Sequence, residues 1–193
     1  MAIDEKEICD LNLFFGFIIV FSSIFSFFMV NVNTQIIMFS FNLFLIGVAF
    51  TGIGVPDKKQ GVKAADVEIW GGVITTIAGL LCFFISLISS NLIIQKLFMI
   101  YGISLFAGIV AIAAPYAERK TRTWSKWIMG GSGIAMAFLS FFYILLRIFV
   151  LFGIVTIKID DFVNIMNILL SISIFFHGLA RIIIHYTGIY TKV

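Results

Sequence analysis

Charge is what this chain has least of: only 12% of its 193 residues are Asp, Glu, Lys or Arg. A soluble domain carries about twice that fraction, so a water-facing globule is excluded. Proline occurs only 2 times, at Pro56 and Pro115, and neither interrupts a long apolar run. Cysteine also occurs 2 times. Cys9 precedes the first apolar run and Cys82 lies in the middle of the third, a placement that argues against a structural disulfide. The better reading of Cys82 is a small apolar packing residue, while Cys9 lies close enough to the membrane for acylation.

Acidic residues are missing from the middle of every apolar run. Ion-coupled transport ordinarily needs carboxylates near the midplane or broken half-helices that expose backbone ligands, so this lack argues against it. Enzyme signatures are missing too. There are no paired aspartates, no histidine cluster with metal spacing and no phosphate-cradling loop. The expectation is a protein that is not an enzyme, with no metal and no cofactor. The basic loops are short and read as signals that meet anionic lipid, not nucleic acid.

What is present is apolar length: 61% of the residues are hydrophobic and the mean hydropathy is +1.13. A helix needs roughly 20 apolar residues to cross about 30 Å of hydrocarbon. Six runs qualify: Leu11 to Val32, Ile36 to Val55, Ile69 to Ile88, Leu92 to Ala114, Trp127 to Val150 and Phe162 to Ile184. Backbone in lipid must satisfy its own hydrogen bonds, and runs without period-two alternation are not barrel strands. The expected fold is an all-α integral membrane protein of six transmembrane helices. They would form one transmembrane domain over 1–193, paired as three antiparallel hairpins at about 11–55, 69–114 and 127–184.

Lysine and arginine set the expected orientation. One side collects Lys6, Lys58, Lys59, Lys63, Arg119, Lys120, Arg122, Lys126, Arg181 and Lys192; the other has Lys96, Arg147 and Lys158. Both termini are therefore expected in the cytoplasm, with the protein multi-pass in a cell membrane. Trp70, Trp124 and Trp127 fall at the same expected level, where amphipathic rings prefer the headgroup layer. The acidic start (Asp4, Glu5, Glu7, Asp10) is unlike a secretory signal, so the first run is expected to stay as a helix.

Three segments repeat faintly. Gly16 with Phe27-Phe28, Gly72 with Phe83-Phe84 and Gly131 with Phe142-Tyr143 open the three hairpins, and Gly47, Gly108 and Gly178 recur in their second helices. Gly130-Gly131-Ser132-Gly133 looks like a nucleophile loop but lies inside a span. Gly131 and Gly133 with Ala135 and Ala137 make small-xxx-small pairs that let helices approach closely.

Ionisable groups inside a bilayer are the strongest functional candidates. His177 lies within the sixth run with Arg181 one turn on and His185 at the membrane edge. One reading is a proton-responsive strip. The plainer expectation is that Arg181 and His185 snorkel to headgroups while His177 hydrogen-bonds a neighbouring helix. Arg147, late in the fifth run, could mark an anion or lipid site. The plainer expectation is that it snorkels outward or pairs with Asp160 or Asp161, with Lys96 behaving likewise. The candidate intramembrane polar site is therefore His177, Arg181 and Arg147.

The length, the three hairpins and the repeated glycines make the chain resemble the HdeD family of small six-span membrane proteins. Phe176-His177-Gly178-Leu179-Ala180-Arg181-Ile182-Ile183 is similar to that family's apolar-polar-Gly-Ile-x-Arg-Ile stretch, and Trp70-Gly71-Gly72 with Ala78-Gly79-Leu80 is similar to its Trp-and-Gly helix start. The resemblance implies a non-enzymatic protein of a prokaryotic cytoplasmic membrane with a role in stress tolerance, and no catalytic residues. Two other readings stand beside it. One is a small accessory subunit of a larger membrane complex; the weaker is a channel or transporter for a small solute. Partners would be membrane lipids and either larger membrane proteins or further copies of the chain.

Overall fold

The computed structural model describes residues 5–29, 31–59, 65–89, 93–117, 123–154 and 159–187. These form six helices: α1 (Glu5–Phe28), α2 (Val32–Lys59), α3 (Ala65–Ile88), α4 (Ile93–Ala117), α5 (Thr123–Leu151) and α6 (Ile159–Thr187). All six are long and apolar enough to cross a membrane, and no strand occurs among the described residues.

Local chemistry sets the helix ends. The first turn is shorter than the sequence suggests: Val32 opens α2 instead of closing α1. Asn31 is the reason. Its side-chain oxygen accepts from the backbone N–H of Asn33 at 2.9 Å, an N-cap that starts the new helix early. Gly153, at φ 70°, ends α5. There Ile154 N–H bonds Phe149 C=O at 2.9 Å and Gly153 N–H bonds Val150 C=O at 3.1 Å, a Schellman pair that a left-handed glycine permits. Helices α2 and α4 run through positions 56 and 115 instead of stopping at their prolines. Close to a helix end a proline costs only the one backbone bond that its missing N–H would have made. The linkers between described helices accordingly shrink to 60–64 and 118–122.

The helices pack as a closed ring in chain order, with α6 against α1. Its tightest contacts are α2 with α3, α4 with α5 and α6 with α1; the expected hairpin partners touch less. Each tight seam is antiparallel and closes on two glycines. A Cβ on Gly108 would sit 2.7 Å from Gly133 O, and one on Gly133 2.8 Å from Gly108 O. Gly47 and Gly72 face each other in the same way, each Cβ falling 2.8 Å from the other's carbonyl oxygen, and so do Gly16 and Gly178, at 2.9 Å and 3.0 Å. Only residues without a side chain let backbones come this close. The repeat is thus real in the packing, but its third member is Gly133. Gly131 is exposed, and a Cβ there would meet nothing within 4 Å.

The register of the three seams extends beyond the glycines. Ile19, Thr75 and Met136, at matching positions one turn after Gly16, Gly72 and Gly133, are all 0% exposed. Further towards the 29–31 and 152–154 turns, Tyr101 stacks on Tyr143 at 3.8 Å between ring centroids. The matching pair in the α2·α3 seam is Ser40 with Cys82 and in the α6·α1 seam Ser171 with Ser26, all four buried. Cys82 is a free thiol. Most of the fully buried apolar residues, including Phe39, Leu43, Ile46, Ile100, Leu170 and Ile174, come from α2, α4 and α6, the inner members of the ring.

Candidate functional site

Helix α6 places His177 and Arg181 one turn apart on its inner face, and both are 0% exposed. This corrects the expectation that Arg181 snorkels to headgroups. The guanidinium is enclosed by three helices' worth of partners. Its Nε–H donates to His177 Nε2 at 3.3 Å, Nη1 donates to Asn12 Oδ1 of α1 at 3.3 Å, and Cζ lies 4.9 Å from the centroid of the Phe50 ring of α2. The Phe50 ring also meets the His177 ring edge to face, at 5.7 Å.

These bonds fix the imidazole's tautomer. Arginine can only donate, so Nε2 of His177 is an acceptor and the ring proton sits on Nδ1. That nitrogen lies 3.1 Å from Ser132 Oγ of α5, and Ser132 in turn donates to Met129 C=O at 2.8 Å. A directed chain runs from Arg181 through His177 and Ser132 to a backbone carbonyl. It joins α6 to α5, as Arg181 joins α6 to α1 and α2. The side chain of His185 lies outside the described residues.

A second polar group occupies the opposite half of the bundle. Gln35 donates to Met29 C=O at 2.5 Å, Asn167 donates to Gln35 Oε1 at 2.9 Å, and Tyr101 OH donates to Asn167 Oδ1 at 3.0 Å. This line ties α2, α6 and α4 together. Arg147 joins its edge, with Nε donating to Tyr143 OH at 3.0 Å and Cζ 5.6 Å from the Tyr143 ring centroid. The side chains of Asp160 and Asp161, expected partners of Arg147, lie outside the described residues. The three candidate residues therefore do not form one site: Arg147 belongs to this half, His177 and Arg181 to the other. Ser22 and Asn42 bond each other between α1 and α2, with Asn42 also donating to Ser26 at 3.3 Å.

Sequence reasoning singled out neither Asn12, Ser132, Gln35, Asn167 nor Tyr101 for this role. Asn12, Ser132, Asn167 and Tyr101 are polar residues inside apolar runs, which was the available signal, and Gln35 stands just before the second run.

The threefold packing supplies its own comparison for each buried polar residue. Lys96 is 2% exposed and donates to Ser89 C=O, just past the end of α3. Gln35, at the matching position in α2, does the same for Met29 past the end of α1. Lys96 is therefore a cap on the preceding helix, not a snorkelling side chain. His177 and Arg181 behave differently. Their counterparts are Ile46 and Phe50 in α2 and Ala107 and Ala111 in α4, all buried and apolar. The architecture is built twice without a charge at this level, so the packing alone does not require one.

Of the small residues expected to pack, Gly133 and Ala137 lie in the α4·α5 seam, with Ala137 Cβ 3.0 Å from a Cβ built on Gly108. Gly131 faces outward, and Ala135 is half-buried. Trp70 and Trp127 are exposed. Among the described residues no group of His, Cys, Asp and Glu is arranged to hold a metal ion. A groove of about 100 Å³ lies between α1 and α6, lined by Ser23, Ile24, Phe27, Phe28, Ser171, Ile172 and Phe175. No protein-family model, curated protein or solved structure matches the chain.

Proposed function

We propose that the protein is a non-enzymatic, HdeD-like integral membrane protein of a prokaryotic cytoplasmic membrane, with both termini cytoplasmic and a role in stress tolerance. The observation that supports this best is that the buried polar side chains bond one another across helices, from Asn12 to Ser132 in one half and from Gln35 to Tyr101 in the other. Such pairing holds helices together where no water can. It is the chemistry of a scaffold, and the resemblance of the sixth run supplies the family. The pairing of the chain into three hairpins belongs to the same proposal.

A second reading, an accessory subunit of a larger membrane complex, is favoured by α5. Its outer face shows Trp127, Ile134, Phe138, Phe141 and Phe142, all exposed, with Phe138 and Phe142 stacked at 6.4 Å. Purification in a gentle detergent, followed by native mass spectrometry, separates the two. A chain that migrates alone or with copies of itself supports the scaffold reading; stoichiometric larger partners overturn it in favour of the subunit.

A further inference from the structure

We propose that His177 and Arg181 form a latch that holds α6 against α1, and that this seam is where the helix ring opens. Three observations meet here. The seams α2·α3 and α4·α5 are each closed by a short linker, 60–64 and 118–122, which keeps the two helices at high effective concentration. Helices α1 and α6 are separated in the chain by the four helices between them, so no linker holds that seam.

The polar side chains are placed where the tether is missing. The two tethered seams use Ile46 with Phe50 and Ala107 with Ala111 at the level where α6 presents His177 and Arg181. Arg181 reaches α1 through Asn12 and α2 through Phe50, while His177 reaches α5 through Ser132. Around the imidazole, α6 supplies Arg181, α5 supplies Ser132 and α2 supplies Phe50; among these described neighbours Arg181 is the charged one. The pair thus grips both helices that flank α6 in the ring.

The seam also has the shape of something hinged. It is latched near its Asn12 end and pinched in the middle by Gly16 against Gly178. Towards its other end a groove of about 100 Å³ lies between the two helices, near Phe27 and Phe175. The two serines of that groove bond their own backbones, Ser23 to Val20 C=O at 2.8 Å and Ser171 to Asn167 C=O at 2.9 Å. They form no bridge from α1 to α6. Among the described residues, the polar bonds between α1 and α6 that must break for the seam to open lie at the latch end.

Cysteine accessibility tests this on the full chain in detergent, with Cys9 and Cys82 replaced by Ser. Ile19→Cys reports the α6·α1 seam, and Thr75→Cys and Met136→Cys report the two tethered seams from matching positions, all 0% exposed. N-ethylmaleimide labelling is followed with and without Arg181→Met, His177→Gln or Asn12→Leu. The last removes the acceptor on α1 without altering α6. Loss of a bond to a charged group is expected to raise labelling of Ile19→Cys about tenfold, with the other two sites unchanged. Equal rises at all three sites would mean general loosening and would overturn the latch. No rise at Ile19→Cys in any of the three backgrounds would overturn it as well.

Discussion

A methyl group distinguishes two glycines two positions apart on α5. On Gly133 it would meet Gly108 O at 2.8 Å and Ala111 Cβ at 2.9 Å, whereas on Gly131 it would meet nothing within 4 Å. Gly133→Ala must push α4 and α5 apart, and overpacking of this kind costs about 1–3 kcal/mol. Gly131→Ala adds no clash and gains helix propensity, up to about 1 kcal/mol. Thermal melting of the two variants in detergent should move in opposite directions; a matched loss would mean that α5 is rotated from the face described. Lys96 offers a second test. Because Gln35 caps the preceding helix from the matching position, Lys96→Gln should keep most of the stability, while Lys96→Met should lose roughly 1–3 kcal/mol by leaving the Ser89 carbonyl without that donor. Equal melting temperatures for the two would remove the capping role. The small-residue pattern was legible in the sequence, but Gly131 and Gly133 fit it equally well. Which one faces α4 depends on the rotation of α5 about its axis, and a pattern of small residues does not encode that.

Between elements, the bonds that matter join helices far apart in the chain. Tyr101, Asn167 and Gln35 come from α4, α6 and α2. A double-mutant cycle on Tyr101→Phe and Asn167→Leu should give a coupling of about 0.6 kcal/mol, and no more than about 2, the range measured for hydrogen bonds between membrane helices. Unfolding in mixed micelles reads it, and additive losses would show that the bond contributes nothing. The helices themselves were legible, because runs of this length have few other uses. Their ends were not: Asn31 caps α2 earlier than hydropathy suggests, and the helix passes position 56. Hydropathy averages over a window, whereas a cap is one side chain. The same averaging hid the fate of Arg181. Its position near the end of a run suited snorkelling, and only the inward rotation of α6 makes it a buried residue.

At the scale of the whole molecule the ring and its orientation can be tested separately. Charge bias predicts that reporters fused before α1, after α2, after α4 and after α6 all lie in the cytoplasm, and that those after α1, α3 and α5 do not. An inverted pattern would refute the expected sidedness while leaving the ring intact. Composition and run length by themselves determined that this is a six-helix membrane protein, since so few charges and so many apolar residues have no stable place in water. The glycines and a weak threefold repeat could also be read there. Tertiary structure alone decided that the tight seams join α2 to α3 and α4 to α5, that Gly133 carries the second of these, and that α6 closes on α1. It also decided that Arg147 stands apart from His177 and Arg181. The physical reason is the same in each case. Hydropathy fixes how a helix sits relative to lipid, but helices in lipid choose partners by close backbone contact and by paired polar groups. Those depend on rotation and register that only the assembled ring defines.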